Sequence, residues 1–381
     1  MSEIILSVSC GLILLVGSFK STATQRQTMA LNAIFMTGTT LAIAAQIFQI
    51  YGSGILQLQN ILKLYFMVSS ILFILYYSKR FRTSERMGIL GTVLASCLII
   101  SSTNSLFMFC SMSLLFISAY TFSMTRERLS NNQNTLLLYS IISLMLLYKV
   151  SPLISLTSLL LISILVFIKT KSRDIETFII IFTLPMIIYL CIAEFSTPNG
   201  ALIKETLMYI GLALISLMSL LIISTKEEKI KRSCKYGLFY LGNILLFISA
   251  GSQDSVSVAI ILMLLIPFIY SQQVGPISIL NMAMLPLLPP FIAKMGFAAI
   301  LIDSNNWIPL PFLLISSLVF WIYGAYDLVR LSPFADSQPK SYRRLALVYL
   351  SILVLIATAI FFNYIQDVLK ISLESILRKV I

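Results

Sequence analysis

Long runs of apolar residues alternate with short polar segments along the whole chain. Runs of this length match what an α-helix needs to cross a hydrocarbon core of about 30 Å. The pattern predicts an all-α polytopic membrane protein with about fourteen transmembrane helices, forming a single transmembrane domain over residues 1–381. The predicted spans are residues 4–19, 28–50, 60–78, 87–103, 105–123, 135–149, 152–168, 175–194, 203–224, 236–250, 255–271, 276–302, 309–329 and 345–365.

One predicted span, residues 276–302, differs from the others because it contains three prolines followed by a lysine. Pro286, Pro289 and Pro290 each lack a backbone donor, so we expect the helix to break or kink here. Lys294 follows with no carboxylate in the same span. A lysine at membrane depth costs about 2.5–3.5 kcal/mol on insertion scales. A broken helix with a buried cation is typical of ion-translocating proteins, and the alternative is a lysine that snorkels to the membrane surface.

The basic residues are distributed unevenly between the loops, and this distribution predicts the orientation of the chain. Most of the 27 lysines and arginines lie in loops that alternating spans would place on the cytoplasmic or matrix side. The opposite loops hold only Lys149 and Lys204. An even number of spans then puts both termini on the periplasmic or intermembrane side. The segment after Asn363 alternates apolar and charged residues at helical spacing, which is typical of a helix lying along the interface.

Composition excludes several other classes of protein. Apolar residues make up 58% of the chain and charged residues 11%. The net charge of +12 comes from residues scattered among loops, so nucleic acid is not expected as a partner, whereas lipids are. The absence of histidine excludes histidine-based catalysis and histidine ligation of haem or metal. None of the five cysteines has a metal-binding spacing. We therefore predict no catalytic residue, metal or cofactor.

Three segments, in the right order, resemble one family. Residues 104–120 (NSLFMFCSMSLLFISAY) resemble a family span that ends in Glu-Leu-x-Ser-Leu-x-Leu-Tyr, and residues 231–242 (KRSCKYGLFYLG) resemble Lys-Arg-x-x-Ala-Tyr-Ser-Ser-Ile-x-x-x-Gly. In residues 282–302, Phe-Ile-Ala-Lys stands for the family's Phe-x-x-Lys, with Pro286 eight residues before Lys294. The family is that of the antiporter-like membrane subunits of respiratory complex I (NADH:quinone oxidoreductase), and the chain is most similar to subunit N of bacteria, called subunit 2 in mitochondria.

The resemblance implies a fold of fourteen helices with two inverted five-helix repeats and broken helices seven and twelve. It implies that Lys294 belongs to a polar axis that carries protons or transmits coupling along the membrane arm. It also implies that the other membrane-arm subunits of complex I are the partners, that NADH, flavin, iron–sulfur cluster and quinone are held elsewhere, and that the membrane is a bacterial inner membrane or a mitochondrial inner membrane.

Two positions depart from the family pattern. The glutamate of the fifth span falls on Ser113, and the lysine of the eighth span falls on Met186, after Pro185. A glutamate and a lysine that set each other's pKa can pass a proton reversibly, and serine and methionine cannot. We therefore expect the inner half of the family's proton path to be lost, while the site of the twelfth helix is retained.

Other charged residues have plainer interpretations. Lys149 and Glu194 end two predicted spans, and each is either an interfacial group or part of a proton path. Lys63 lies four residues into its span and is expected to snorkel outwards. Asp254 and Asp303 are expected to be solvated. Three further basic residues are expected to orient the chain through lipid headgroups: Lys231, Arg232 and Lys235.

Three functions are compatible with these features. The first is a membrane-arm subunit of complex I that conducts protons by a reduced path or links its neighbours structurally. The second is a subunit of a multisubunit cation/proton antiporter or of a membrane-bound hydrogenase. The third is an unrelated polytopic transporter of lipids or glycans, although such carriers usually gather several cations in a central cavity and only two predicted spans here carry a lysine away from their ends.

Overall fold

The computed structural model describes residues 1–18, 25–53, 57–77, 83–102, 105–126, 152–169, 173–198, 200–224, 229–270, 281–284, 286, 288–303, 307–330 and 342–377. Within these ranges the structure is helical and contains no β-strand. The helices are α1 (Ser2–Ser18), α2 (Gln25–Ser53), α3 (Leu58–Tyr77), α4 (Thr83–Ser101), α5 (Ser105–Arg126), α6 (Pro152–Lys169), α7 (Arg173–Phe178), α8 (Leu184–Ala193), α9 (Gly200–Ser224), α10 (Lys229–Ser249), α11 (Gln253–Tyr270), α12 (Pro289–Asp303), α13 (Pro309–Arg330), α14 (Tyr342–Ile360) and α15 (Phe362–Leu377).

These helices coincide with all the predicted spans except residues 135–149, which lie outside the described residues. In the described part of the chain, six helices are long and apolar enough to cross a membrane, and a seventh span results if α14 and α15 are counted together. Several shorter apolar helices accompany them, including α1, α5, α6, α10 and α11. The prediction of an all-α polytopic membrane protein is confirmed.

The chain forms two compact units, Met1–Ile187 and Ile188–Ile381. In the first unit, α4 and α5 approach closely at Gly88, where a Cβ atom would lie 2.9 Å from the backbone oxygen of Ser118. In the second unit, α9 and α10 meet at Gly211, where a Cβ atom would lie 2.9 Å from the backbone oxygen of Gly242. Small residues at such crossings let helix backbones pack closely, and this packing favours association inside a membrane, where the hydrophobic effect does not drive it. The single transmembrane domain and the inverted repeats stay predictions.

A π-helical turn, Ile179–Thr183, joins α7 and α8 into one continuous, largely buried helix. Two residues after this turn, Pro185 lacks the N–H that would bond to the carbonyl of Ile181, four residues earlier. The hydroxyl of Tyr65 on α3 donates to that carbonyl at 3.0 Å. A neighbouring helix therefore supplies the donor that proline removes, as is required where no water is available.

The C-terminal helices α14 and α15 are bent by 78° at Phe361. Lys370 on α15 forms ion pairs with Asp254 at the start of α11 and with Asp367 on its own helix. Asp254 is thus paired, and not merely solvated as the sequence suggested. The interfacial position of the final helix stays a prediction.

We expect Tyr65→Phe to lower the free energy of unfolding by about 1–3 kcal/mol, because the carbonyl of Ile181 would be buried without a donor. Thermal unfolding of the purified chain in detergent measures this loss. Tyr209→Phe is the matched control, since the Tyr209 hydroxyl bonds to Glu205 on an exposed surface. Equal melting temperatures for the two variants would contradict the assignment.

Candidate functional site

The predicted break in residues 276–302 is present. Asn281 and Met282 are helical, the chain then turns through Ala283 and Met284, and helix α12 begins at Pro289. Met284 has a φ of 53°, a conformation that a side chain with a Cβ rarely adopts, and its N–H bonds to the carbonyl of Asn281 at 3.0 Å. Residues 276–280, 285 and 287 lie outside the described residues.

The prolines have different positions in this break. Pro286 lies in the turn and is exposed, whereas Pro289 and Pro290 form the first turn of α12. Proline is tolerated there because the first N–H groups of a helix have no intrahelical acceptor. The carbonyl of Leu288 accepts hydrogen bonds from Phe291 at 3.0 Å and from a second N–H, that of Ile292, at 3.2 Å. The proline cluster therefore ends one helical segment and starts the next.

Trp321 on α13 contacts the break through a hydrogen bond and a ring contact. Its indole N–H donates to the carbonyl of Met284 at 2.9 Å, and its ring contacts Phe291 with centroids 5.6 Å apart. The hydrogen bond satisfies a carbonyl that the interrupted helix would otherwise leave unpaired. Trp321 thus fixes the break at its strained residue. Sequence pattern alone does not reveal this role, because Trp321 and Met284 are 37 positions apart.

Lys294 lies in the second turn of α12 and is 3% exposed. Its ammonium nitrogen lies over the ring of Phe239 on α10, 4.9 Å from the centroid. The ring of Phe239 also stacks on Phe320 of α13, with centroids 3.7 Å apart and an interplanar angle of 12°. A cation over an aromatic face is stabilised by the ring quadrupole. The ring that faces the lysine head therefore also joins α10 to α13.

The Lys294 nitrogen is buried and has no hydrogen-bond partner among the described residues. A snorkelling lysine would carry its nitrogen to the surface, and this one does not. A lysine enclosed in this way within an apolar span is a candidate functional group.

The other predicted site residues are not gathered at Lys294. Glu194 is half-buried at the start of the 3₁₀ turn Glu194–Ser196 that follows α8. Ser113 donates from its hydroxyl to the Phe109 carbonyl within α5 at 3.0 Å, and Met186 is fully buried in α8. Lys149 lies outside the described residues. In the described part of the chain, no group of acidic and cysteine side chains could hold a metal ion.

A second polar site, in the first unit, was not predicted. The Lys63 ammonium group is paired with the Glu3 carboxylate at 2.7 Å, and Lys63 is 7% exposed. The expectation that Lys63 snorkels is therefore wrong, because an acidic side chain from α1 meets it. The same Glu3 oxygen accepts a hydrogen bond from Ser101 of α4 at 3.0 Å. Glu3 and Lys63 lie near the starts of predicted spans 4–19 and 60–78, which begin on the same side of the membrane. This shared position could have suggested the ion pair.

This site extends through buried amides and hydroxyls. The Ser2 hydroxyl lies 3.0 Å from the other Glu3 oxygen and 2.9 Å from the Gln46 carbonyl oxygen. The Gln46 amide donates to Asn60 at 3.0 Å. Helices α1, α2, α3 and α4 are thus joined by one network of hydrogen bonds. Since its members satisfy one another, the network can remain buried at a low cost.

Lys235 also differs from expectation. It was expected to face lipid headgroups, but it is 7% exposed and donates to the carbonyl of Leu221 at 2.8 Å. That carbonyl is in the last turn of α9. Lys235 therefore caps α9, and its positive charge complements the negative end of that helix.

Three solved membrane assemblies contain chains that are similar to this one. A chain of respiratory complex I from Thermus thermophilus with bound aureothin has a TM-score of 0.71 and 15% identity, over 96% of this chain and 99% of that chain. A chain of the membrane-bound sulfane sulfur reductase, an archaeal respiratory membrane complex, has a TM-score of 0.71 and 14% identity, over 100% and 99%. A chain of the Mrp complex from Dietzia sp. DQ12-45-1b has a TM-score of 0.73 and 9% identity, over 99% and 97%.

Sequence comparison matches the chain to no known protein family and to no curated protein. The structural likeness nevertheless covers nearly the whole length of each chain. It shows that this chain shares the fold of those chains, which agrees with the resemblance found in the sequence.

We expect Trp321→Phe to lower the melting temperature in detergent, with a loss of about 1–3 kcal/mol, because the ring contact with Phe291 remains but the carbonyl of Met284 loses its donor. The control is Trp307→Phe, which removes the other of the two tryptophans at an exposed position. A Trp321→Phe variant as stable as the Trp307→Phe variant would argue against this role.

Lys63→Met should destabilise the first unit by about 1–3 kcal/mol, because Glu3 would keep a partly buried charge without its cation. Glu3→Gln added to this variant should recover part of the loss. Thermal unfolding of the single and double variants measures both effects. Lys370→Met is the control, since its ion pair with Asp254 is more exposed and such pairs contribute about 0–1 kcal/mol. The interpretation fails if both lysine variants lose the same stability.

Proposed function

We propose that this chain is a membrane-arm subunit of a proton-translocating NADH:quinone oxidoreductase (complex I). The observation that carries this proposal is Lys294, whose ammonium nitrogen is buried over Phe239 directly after a proline-broken helix. A buried amine next to interrupted backbone can accept and release a proton as its surroundings change. The chain itself holds no redox group and takes part only in translocation.

The proton path in this proposal is reduced. Ser113 and Met186 replace the glutamate and lysine of the family pattern, and neither side chain exchanges protons at neutral pH. Lys294 is therefore the principal relay, and Lys149 and Glu194 are candidate groups of the same path on its periplasmic or intermembrane side. In the limiting case the chain transmits structural coupling between its neighbours and moves no proton.

The proposed partners are the other membrane-arm subunits. The similar chains come from multisubunit membrane complexes, and their fold covers nearly all of this chain. Lipids cover the remaining surface in this proposal. We place the chain in a bacterial inner membrane or a mitochondrial inner membrane, with both termini on the periplasmic or intermembrane side, as the loop charges indicate.

A second candidate is a subunit of a multisubunit cation/proton antiporter or of a membrane-bound hydrogenase. The likeness to a chain of the Mrp complex favours this candidate, because its TM-score of 0.73 is close to the value of 0.71 for the chain of complex I. Purification from solubilised membranes, followed by identification of the accompanying chains, separates the two candidates. The fold favours both over a lipid or glycan carrier, which should purify alone as a stable, monodisperse chain.

We expect Lys294→Met to lower the number of protons translocated per electron while the complex still assembles. Methionine retains most of the apolar contacts of the lysine stem but cannot carry a proton. Proton uptake by proteoliposomes that contain the purified complex, measured together with electron transfer, gives this ratio.

Lys204→Met is the matched control for this experiment. Lys204 also places its ammonium nitrogen over a phenylalanine, Phe195, at 5.2 Å, but it lies at the start of α9 and outside the proline break. The control variant should translocate protons normally. If Lys294→Met leaves the ratio unchanged in an assembled complex, the relay is ruled out and only the structural role remains.

A further inference from the structure

Two aromatic residues of helix α10 contact side chains of α12. Phe239, Asn243 and Phe247 are spaced four residues apart, so they lie along the same side of the helix. Phe239 contacts the Lys294 ammonium group at 4.9 Å, and Phe247 contacts Phe297 with ring centroids 4.2 Å apart. Asn243 lies between these two contacts and therefore faces the same interface.

The Asn243 side chain is held in one orientation. It is fully buried, and its amide nitrogen donates to the Phe239 carbonyl at 2.8 Å, one turn earlier. This hydrogen bond directs the carbonyl oxygen of the amide away from its own helix. Among the described residues that oxygen, Oδ1, has no hydrogen-bond partner.

The two helices that meet at these contacts thus each carry a buried polar atom without a partner. Lys294 Nζ is a donor without an acceptor, and Asn243 Oδ1 is an acceptor without a donor, within the described part of the chain. A buried polar group that makes no hydrogen bond costs about 1–3 kcal/mol, and buried polar atoms are normally satisfied by protein or by ordered water. This free-energy cost is avoided if a molecule that can both accept and donate a hydrogen bond lies between Lys294 Nζ and Asn243 Oδ1.

Other polar groups of α10 are already engaged. The Tyr240 hydroxyl donates to the carbonyl of Leu262 at 2.9 Å, and Lys235 donates to the carbonyl of Leu221. The nearest charge on α11, Asp254, is paired with Lys370. These groups therefore do not compete for Lys294, and Asn243 is the acceptor that the helix offers.

We propose that Asn243 is a positioning residue for Lys294: its Oδ1 accepts a hydrogen bond from a buried water that in turn accepts one from the lysine amine. The aromatic rings of Phe239, Phe247 and Phe297 wall this small hydrated site. A water in this position is both the hydrogen-bond partner of the amine and the first carrier for a proton that leaves it. The second role rests on the proposed function, whereas the hydrated site itself does not.

Solid-state NMR on the full chain in lipid bilayers tests the site directly. With lysine labelled at the ¹⁵Nζ position, magnetisation transferred from water protons reports which amines touch water, and Lys294→Met identifies the Lys294 signal. We expect wild-type Lys294 to receive this transfer. Asn243→Leu, which keeps the volume but removes the acceptor, should lower it by about fivefold, whereas Asn243→Gln should retain most of it.

Ser96→Ala is the matched control, because Ser96 makes a comparable buried bond to the carbonyl four residues earlier, on α4 in the first unit. It should leave the Lys294 signal unchanged. An unchanged transfer in Asn243→Leu would overturn the proposal. Absence of transfer in the wild-type chain would overturn it as well, whether or not the variants fold.

Proton translocation by the assembled complex separates this inference from the proposed function. If the hydrated site and the proton relay are both correct, Asn243→Leu should slow proton translocation, as is expected of Lys294→Met. Loss of the NMR transfer with normal translocation would support the hydrated site and count against the relay. Normal NMR transfer with slowed translocation in Asn243→Leu would overturn the positioning role.

Discussion

Polar groups inside a bilayer have little water to bind, and this constraint explains several hydrogen bonds between helices in the structure. At two irregular points of the backbone, a side chain from another helix supplies a hydrogen-bond donor. Tyr65 bonds to the carbonyl that Pro185 leaves free, and Trp321 bonds to the carbonyl of Met284 at the break. Lys235 likewise donates to a carbonyl in the last turn of α9.

Lys63 and Lys294, two of the buried lysines in the described part of the chain, illustrate two outcomes of the same constraint. Lys63 is neutralised by Glu3 and joins a network that ties four helices together, so its charge serves the fold. Lys294 receives an aromatic face but no carboxylate among the described residues. An amine that is enclosed and not neutralised is costly for stability, so such residues are rare in membrane spans.

The sequence predicted much of this protein correctly because lipid imposes simple patterns on a chain. Apolar length located the helices, and the proline cluster located the break before Lys294. The sequence did not predict the pairing of Lys63 with Glu3, nor the capping of α9 by Lys235, because these contacts join residues that are distant in sequence or depend on how a helix is rotated. Rotation about a helix axis follows from packing against neighbours, which single-sequence periodicity cannot specify in a chain that is apolar on all sides.

The sequence by itself determined that the chain is helical, that it crosses the membrane many times and that one span is broken before a lysine. These features follow from local chemistry: the length of apolar runs, the missing N–H of proline and the charge on one side chain. Only the tertiary structure decided which polar groups meet. Lys294 could have faced lipid, a carboxylate or an aromatic ring, and the packing of α10, α12 and α13 placed it over Phe239.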